Sequence, residues 1–208
     1  MNGRMLLGFG LGSCLAGIGI GFAAAPALNG HNASTYAISP VDPKPVQARW
    51  VEARVTVDAR AQDRWTYFDF SRGSVVTDAA PNGHNWDLAF QRYRVATNSG
   101  ATNPNGHAGA IKRGRRRPRW APADGYRVDQ WVEDLTFNTV FDRWYRYSPF
   151  ENGLVPRDSY FVIRTADAGY AWLHFVAYYC PPREGGGAGC VTFRYGYRSD
   201  FSRELGPS

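Results

Sequence analysis

After residue 30 the chain has no long stretch of 3.6-residue apolar periodicity, which excludes a helical bundle for most of its length. It also lacks the common signatures of enzyme chemistry. There is no G-x-S-x-G, no phosphate-binding loop, no H-E-x-x-H and no Cys–His motif, so no catalytic residue is expected. The acidic residues are scattered. Asp69 and Asp87 fall on separate predicted strands, and Glu133 and Asp134, as strand neighbours, would point to opposite faces. All four are expected to be solvated or salt-bridged surface groups. Charged residues make up only 20% of the 208, against 44% hydrophobic, a balance that excludes a disordered chain.

What is abundant points to strands. Aromatics reach 15%, with 7 Trp and 12 Tyr. The 23 Gly and 13 Pro are spread along the chain as turn punctuation. Val51, Ala53, Val55 and Val57 alternate with polar residues, the pattern of a half-buried strand. WTYFDFS at 65–71 and a short run at Val75 and Val76 follow. YFVIRT and YAWLHFVAYY, separated by Ala166-Asp167-Ala168-Gly169, read as a hairpin. In CVTFRYGYR the residues Val191, Phe193, Tyr195 and Tyr197 face one way, and Thr192, Arg194 and Arg198 the other. The fold expected is all-β, an antiparallel sandwich or a partly open barrel, preceded by one N-terminal transmembrane helix.

That helix is expected from residues 5–27, an uncharged apolar run long enough to cross a bilayer. Three readings of it stand open. It is a cleaved signal peptide ending at Ala25-Pro26-Ala27, a lipoprotein signal at Leu11-Gly12-Ser13-Cys14, or an uncleaved anchor. Gly8, Gly12, Gly17 and Gly21 form two small-xxx-small pairs that favour an anchor packed among other helices. Arg4 precedes the run, and no Lys or Arg follows until Lys44. The positive-inside rule then places the main domain outside, in the periplasm, with the chain single-pass in a bacterial inner membrane. The expected division is an anchor at 1–30, a linker at 31–49 holding Pro40, Pro43 and Pro45, and a β domain at 50–208.

Cys180 and Cys190 flank a Pro- and Gly-rich loop between two strand-like runs, where a disulfide would close the base of a hairpin. Cys14 has no evident partner. The net charge of +6 owes much to Lys112, Arg113, Arg115, Arg116, Arg117 and Arg119, with Trp120 alongside. The run is either a solvated loop or a docking surface for anionic lipid headgroups or an acidic protein. The exported compartment excludes nucleic acid as the partner. Trp131 and Trp144 join Trp120 as candidate surface anchors.

One stretch is distinctive: NWDLAFQRYRVATNSG at 85–100. Trp86, Leu88 and Phe90 share one face, Tyr93 and Val95 the other, and the change near Gln91 or Arg92 suggests a bulge. Thr97-Asn98-Ser99-Gly100 supplies a capped turn. Together with WTYFDFSRGSVV before it and NGHAGA after it, the stretch resembles the HmuY family of bacterial haem-binding proteins. ADGYRVD and FVIRTADAG are similar to later strands of that family, and the resemblance covers roughly residues 55 to 200. It implies an all-β fold, an exported location and, in the best-known members, haem held by two axial histidines.

The ligand segment implied by the resemblance departs from that pattern. Residues 128–160 contain no His, Met or Cys, and Tyr145 and Tyr147 are the nearest substitutes. His84 and His107, in loops flanking the Trp-Asp strand, are the remaining candidates for haem; His31 falls in the linker and His174 mid-strand. No cofactor is therefore expected, with haem as the alternative. No metal site is expected either. The function expected is a non-catalytic, membrane-anchored accessory or scaffolding subunit of a larger membrane complex, respiratory or pigment-binding. The alternative is a periplasmic haem- or porphyrin-binding protein.

Overall fold

The computed structural model describes residues 33–41 and 50–207. The expected anchor, with Gly8, Gly12, Gly17 and Gly21, lies outside the described residues. Among those described, no helix is long and apolar enough to cross a membrane.

The alternating run at 51–57 forms β1 (Trp50–Asp58), which pairs antiparallel with β13 (Ala188–Arg198). β13 in turn pairs with β12 (Tyr170–Tyr179), and β12 with β11 (Tyr160–Arg164), through the hairpin turn at 166–169. β6 (Gly109–Lys112) completes a five-stranded antiparallel sheet in the order β1-β13-β12-β11-β6. A second sheet has the order β3-β2-β4-β5, from Ser74–Val76, Thr66–Asp69, Leu88–Gln91 and Arg94–Thr97. The two sheets face one another across rings. Phe193 meets Phe68 edge-on at 5.2 Å and stacks with Phe90 at 5.5 Å, and Phe70 meets Tyr195 at 5.2 Å. Such offset and edge-on pairs add to the burial of the rings themselves.

The inward set Val191, Phe193, Tyr195 and Tyr197 is fully buried, as the alternation predicts. On the opposite face of β13, Arg194 is exposed but Thr192 and Arg198 are buried. Thr192 bonds Thr56 side chain to side chain at 2.9 Å, and Arg198 lies beneath the Trp50 ring. Residues 33–41, within the stretch read as a linker, run along the domain. Ser39 exchanges bonds with the Thr56 backbone, Ile38 N–H donates to the Glu184 carboxylate, and Arg54 covers the Tyr36 ring. This covers part of the open edge of β1.

Two short ribbons stand between β6 and β11 in sequence: β7 (Gln130–Val132) with β8 (Leu135–Phe137), and β9 (Tyr145–Ser148) with β10 (Gly153–Pro156). A 3-10 turn at Thr139–Phe141 connects them. Glu133 and Asp134 form the tip of the first ribbon rather than a strand.

The 85–100 stretch is not one bulged strand. It is a tight hairpin, with Gln91 opposite Arg94 and Arg92 at a φ of 55°. No Gly or Asn marks the turn, because tertiary bonds hold it. The Arg92 N–H donates to the Ala59 carbonyl, and its guanidinium to that of Ala188. Trp86 also departs from expectation: it packs with Ala89 and Ala96 on the face opposite Leu88 and Phe90. The capped turn does form. Asn98 is fully buried, donates to the carbonyls of Gly83 and Trp86, and is followed by Gly100 at a φ of 56°.

Cys180 and Cys190 are joined in a disulfide that closes the β12–β13 hairpin. Gly185, Gly186 and Gly187 carry the loop through positive φ.

Candidate functional site

The segment where the resemblance places haem ligands builds one wall of a cleft of about 260 Å³. Its first side is the β4–β5 hairpin, with Tyr93, Arg94 and Val95. The second is the β7–β8 ribbon, with Val132, Glu133, Leu135 and Phe137, and the floor comes from Phe141 and Tyr145. The ring of Tyr93 meets that of Tyr145 edge-on at 5.6 Å. Trp144, expected at the surface, is 1% exposed: it stacks on Phe175 at 4.3 Å and supports the cleft from below.

The back of the cleft is a saturated polar network. Asp129 accepts from the Thr97 N–H at 2.9 Å and from the hydroxyls of Thr97 and Thr102 at 2.5 and 2.6 Å. Asn138 donates to Thr97 Oγ1 and the Arg127 carbonyl, and its side-chain oxygen accepts from the Val140 N–H. Burial outweighs these donors and pushes Asp129 up to about 6. Asp129 and Asn138, which flank the β7–β8 ribbon, are thereby tied to Thr97 at the end of β5.

Tyr145 and Tyr147 separate cleanly. Tyr145 lines the cleft, and burial, then the neighbouring Tyr93 phenol, raises its pKa. That favours the neutral phenol over the tyrosinate a metal would need. Tyr147 stays outside, with its hydroxyl donating to Asn152. His84 and His107 are both exposed, on two loops tied together by Asn98 and Asn103. His107 bridges Ser99 through its backbone, and its carbonyl accepts from Arg164. Among the described residues no three His, Cys, Asp or Glu side chains form a metal-binding group. His174 is stacked on Tyr160 at 4.6 Å near Asp158, and burial lowers its pKa.

Asp69 and Asp87 are not surface groups. Asp87 is fully buried and accepts the N–H groups of Phe70 at 2.8 Å and Ala166 at 2.7 Å, tying the second sheet to the β11–β12 turn. Burial and the nearby Asp69 carboxylate raise its pKa well above the ordinary range. Backbone amides hold Asp87, and Asp69 accepts from the N–H groups of Ser71 and Arg72 with the Arg72 guanidinium 3.7 Å away, roles that sequence spacing does not reveal.

The basic run divides. Arg117 pairs with Glu52 and lies over Trp172 at 4.7 Å and Trp50 at 5.8 Å, so it is spent on the outer face of the sheet. Lys112, Arg113, Arg115, Arg116 and Arg119 are exposed, and Trp120 is 62% exposed. Residues 119–121 pair with the C-terminal segment through Leu205 N–H to the Arg119 carbonyl and Ala121 N–H to that of Arg203. A groove of about 660 Å³ runs along Arg117, Arg119, Trp120 and residues 204–207. Phe201 and Arg203 stand beside it, and nothing in the sequence pattern drew attention to either.

A family model described as HmuY protein matches residues 61–195. Among solved structures, the chain is similar to an apo HmuY analog from Tannerella forsythia at 18% identity and a TM-score of 0.59, covering 73% of this chain and 97% of that one. It is also similar to a structure described as an HmuY-like heme binding protein from Bacteroides vulgatus, at 20% identity and a TM-score of 0.52, covering 69% and 90%. A lipoprotein from Bacteroides fragilis gives 20% identity and 0.51, covering 69% and 88%. No curated protein sequence matches the chain.

Proposed function

The chain belongs to the HmuY family, and on that premise we propose that it is a non-catalytic accessory subunit, anchored in a bacterial inner membrane, whose periplasmic β domain holds other membrane subunits in place. One observation carries the reading. Within 128–160, Phe141 and Trp144 are buried beneath the cleft, but three rings face solvent: Trp131 is 71% exposed and Phe150 fully exposed, with Tyr147 between them in sequence. Exposed aromatic rings on short ribbons and their turns are a residue type enriched at protein interfaces. The cleft beside them lacks imidazole, thioether and thiolate, and at about 260 Å³ it is smaller than the roughly 300–1,000 Å³ usual for small-molecule pockets. The Cys180–Cys190 disulfide suits an oxidising compartment. Extraction of the full chain in mild detergent tests the proposal: co-elution with other membrane proteins is expected.

The second reading is a haem- or porphyrin-binding protein, favoured by the position of the cleft in the family's ligand segment and by the heme binding named for the Bacteroides vulgatus structure. Tyr145, or His84 with His107, would supply the iron ligands. Titration of the full chain with haemin decides it. A Soret shift lost in the corresponding Tyr or His variants supports the reading, and an unchanged spectrum ends it.

A further inference from the structure

We propose that Arg113, Arg115, Arg116, Arg119 and Arg203, with the rings of Trp120 and Phe201, form a face that docks on an anionic phospholipid surface. The inference does not depend on which protein subunits the domain contacts.

Two segments far apart in sequence build this face. The loop after β6 starts rigidly, because the Arg113 N–H donates to the Tyr160 carbonyl and the Tyr160 N–H to that of Gly114. It ends on the paired ribbon of 119–121 with 203–205. Trp120 lies on this ribbon, 62% exposed, and Phe201 lies two residues before its second strand begins at 203, 66% exposed. Arg113, Arg164 and Arg203 all act electrostatically on Tyr126, whose ring Arg164 covers at 5.3 Å, so cations from three segments converge there. Glu204 is the one carboxylate lining the adjoining groove.

Phe201 holds a φ of 59°, which is unusual for a bulky side chain, and no burial of the ring offsets that strain. The Ser202 N–H donates to the Asp200 carboxylate and holds the backbone here, so local bonds fix the turn while the ring stays exposed. Lipid fits better than protein. Protein interfaces set their aromatic and Arg anchors in a contiguous, well-packed core. Here single rings stand among arginines, the arrangement of an interfacial anchor, with rings at headgroup depth and cations on the phosphates. The segment at 5–27, if it spans, would hold the face near the bilayer and raise its effective concentration there.

The test uses the full chain in nanodiscs of phosphatidylcholine alone or with phosphatidylglycerol at about 30 mol%. Trypsin cleavage within 113–119 is followed by mass spectrometry. In the anionic discs it should slow by about tenfold and recover in about 0.5 M salt, because several exposed cations share a screened attraction. Cleavage after Arg146, on the β9–β10 ribbon, should be the same in both. Trp120→Ala with Phe201→Ala keeps every trypsin site and should lose most of the protection. Equal rates in the two lipids overturn the proposal, as does equal slowing at Arg146. Protection that appears only when co-extracted membrane proteins are added overturns it in favour of an acidic protein partner.

Discussion

The indole N–H of Trp144 donates to the carbonyl of Tyr93 at 2.8 Å, across 51 residues of sequence. The bond fixes the tip of the β4–β5 hairpin to the segment that floors the cleft. Trp144→Phe keeps a ring against Phe175 but leaves that carbonyl unpaired, and should cost about 1 kcal/mol. Trp144→Ala also opens a cavity and should cost about 3–5 kcal/mol. Denaturation followed by circular dichroism checks both. Equal losses for the two variants would contradict a separate role for the bond.

Glycines at positive φ give a contrast. A Cβ on Gly100 would lie 2.4 Å from the Asp129 carbonyl oxygen, whereas one on Gly187 would meet nothing within 4 Å. Gly187→Ala should lose only the conformational term, about 1 kcal/mol. Gly100→Ala should lose several times that, because backbone must move. Comparable unfolding midpoints for the two variants would contradict the packing described around Asp129.

Asp129 makes stability depend on pH in an unusual sense. Its pKa rises from 3.8 to about 6 on folding, so the folded state holds the proton more tightly than the unfolded chain. Its contribution is fully present below pH 4 and is lost as the pH rises through about 6. Asp69 and Asp87 shift in the same direction, and half-buried His174 acts in the opposite one. Comparison with Asp129→Asn isolates the one group. The wild type should gain on the variant as pH falls from neutral through that window, by at most about 1.4 kcal/mol per pH unit. A constant or reversed difference would contradict the burial argument.

Reduction of the Cys180–Cys190 bond, which spans a sequence separation of 10, should lower stability by about 3 kcal/mol in the chain-entropy picture. Thermal unfolding with and without reductant measures it. No change would mean that the glycines of the loop hold their conformation without the bond.

The strands were legible because their chemistry is periodic. Val55 and Val57, and Val191 through Tyr197, are buried as alternation demands. The β11–β12 turn was legible from Ala166 to Gly169, although Ala168 rather than the glycine takes positive φ. The turn at Arg92 was not, since its conformation is imposed by carbonyls of Ala59 and Ala188 that sequence does not place nearby. The candidate site was half legible. The absence of His, Met and Cys from 128–160 is a sequence fact. That Tyr93 and Tyr145 meet, that Trp144 is buried and that Trp120 pairs with Glu204 are all products of long-range contact.

The apparent mass of the full-length chain in mild detergent, wild type beside Trp131→Ser with Phe150→Ser, tests the central proposal most directly. Both rings are exposed, so the variant should fold unchanged. The account predicts that the wild type elutes within a larger assembly and that the variant elutes alone. A wild-type chain that elutes as a free monomer would contradict it.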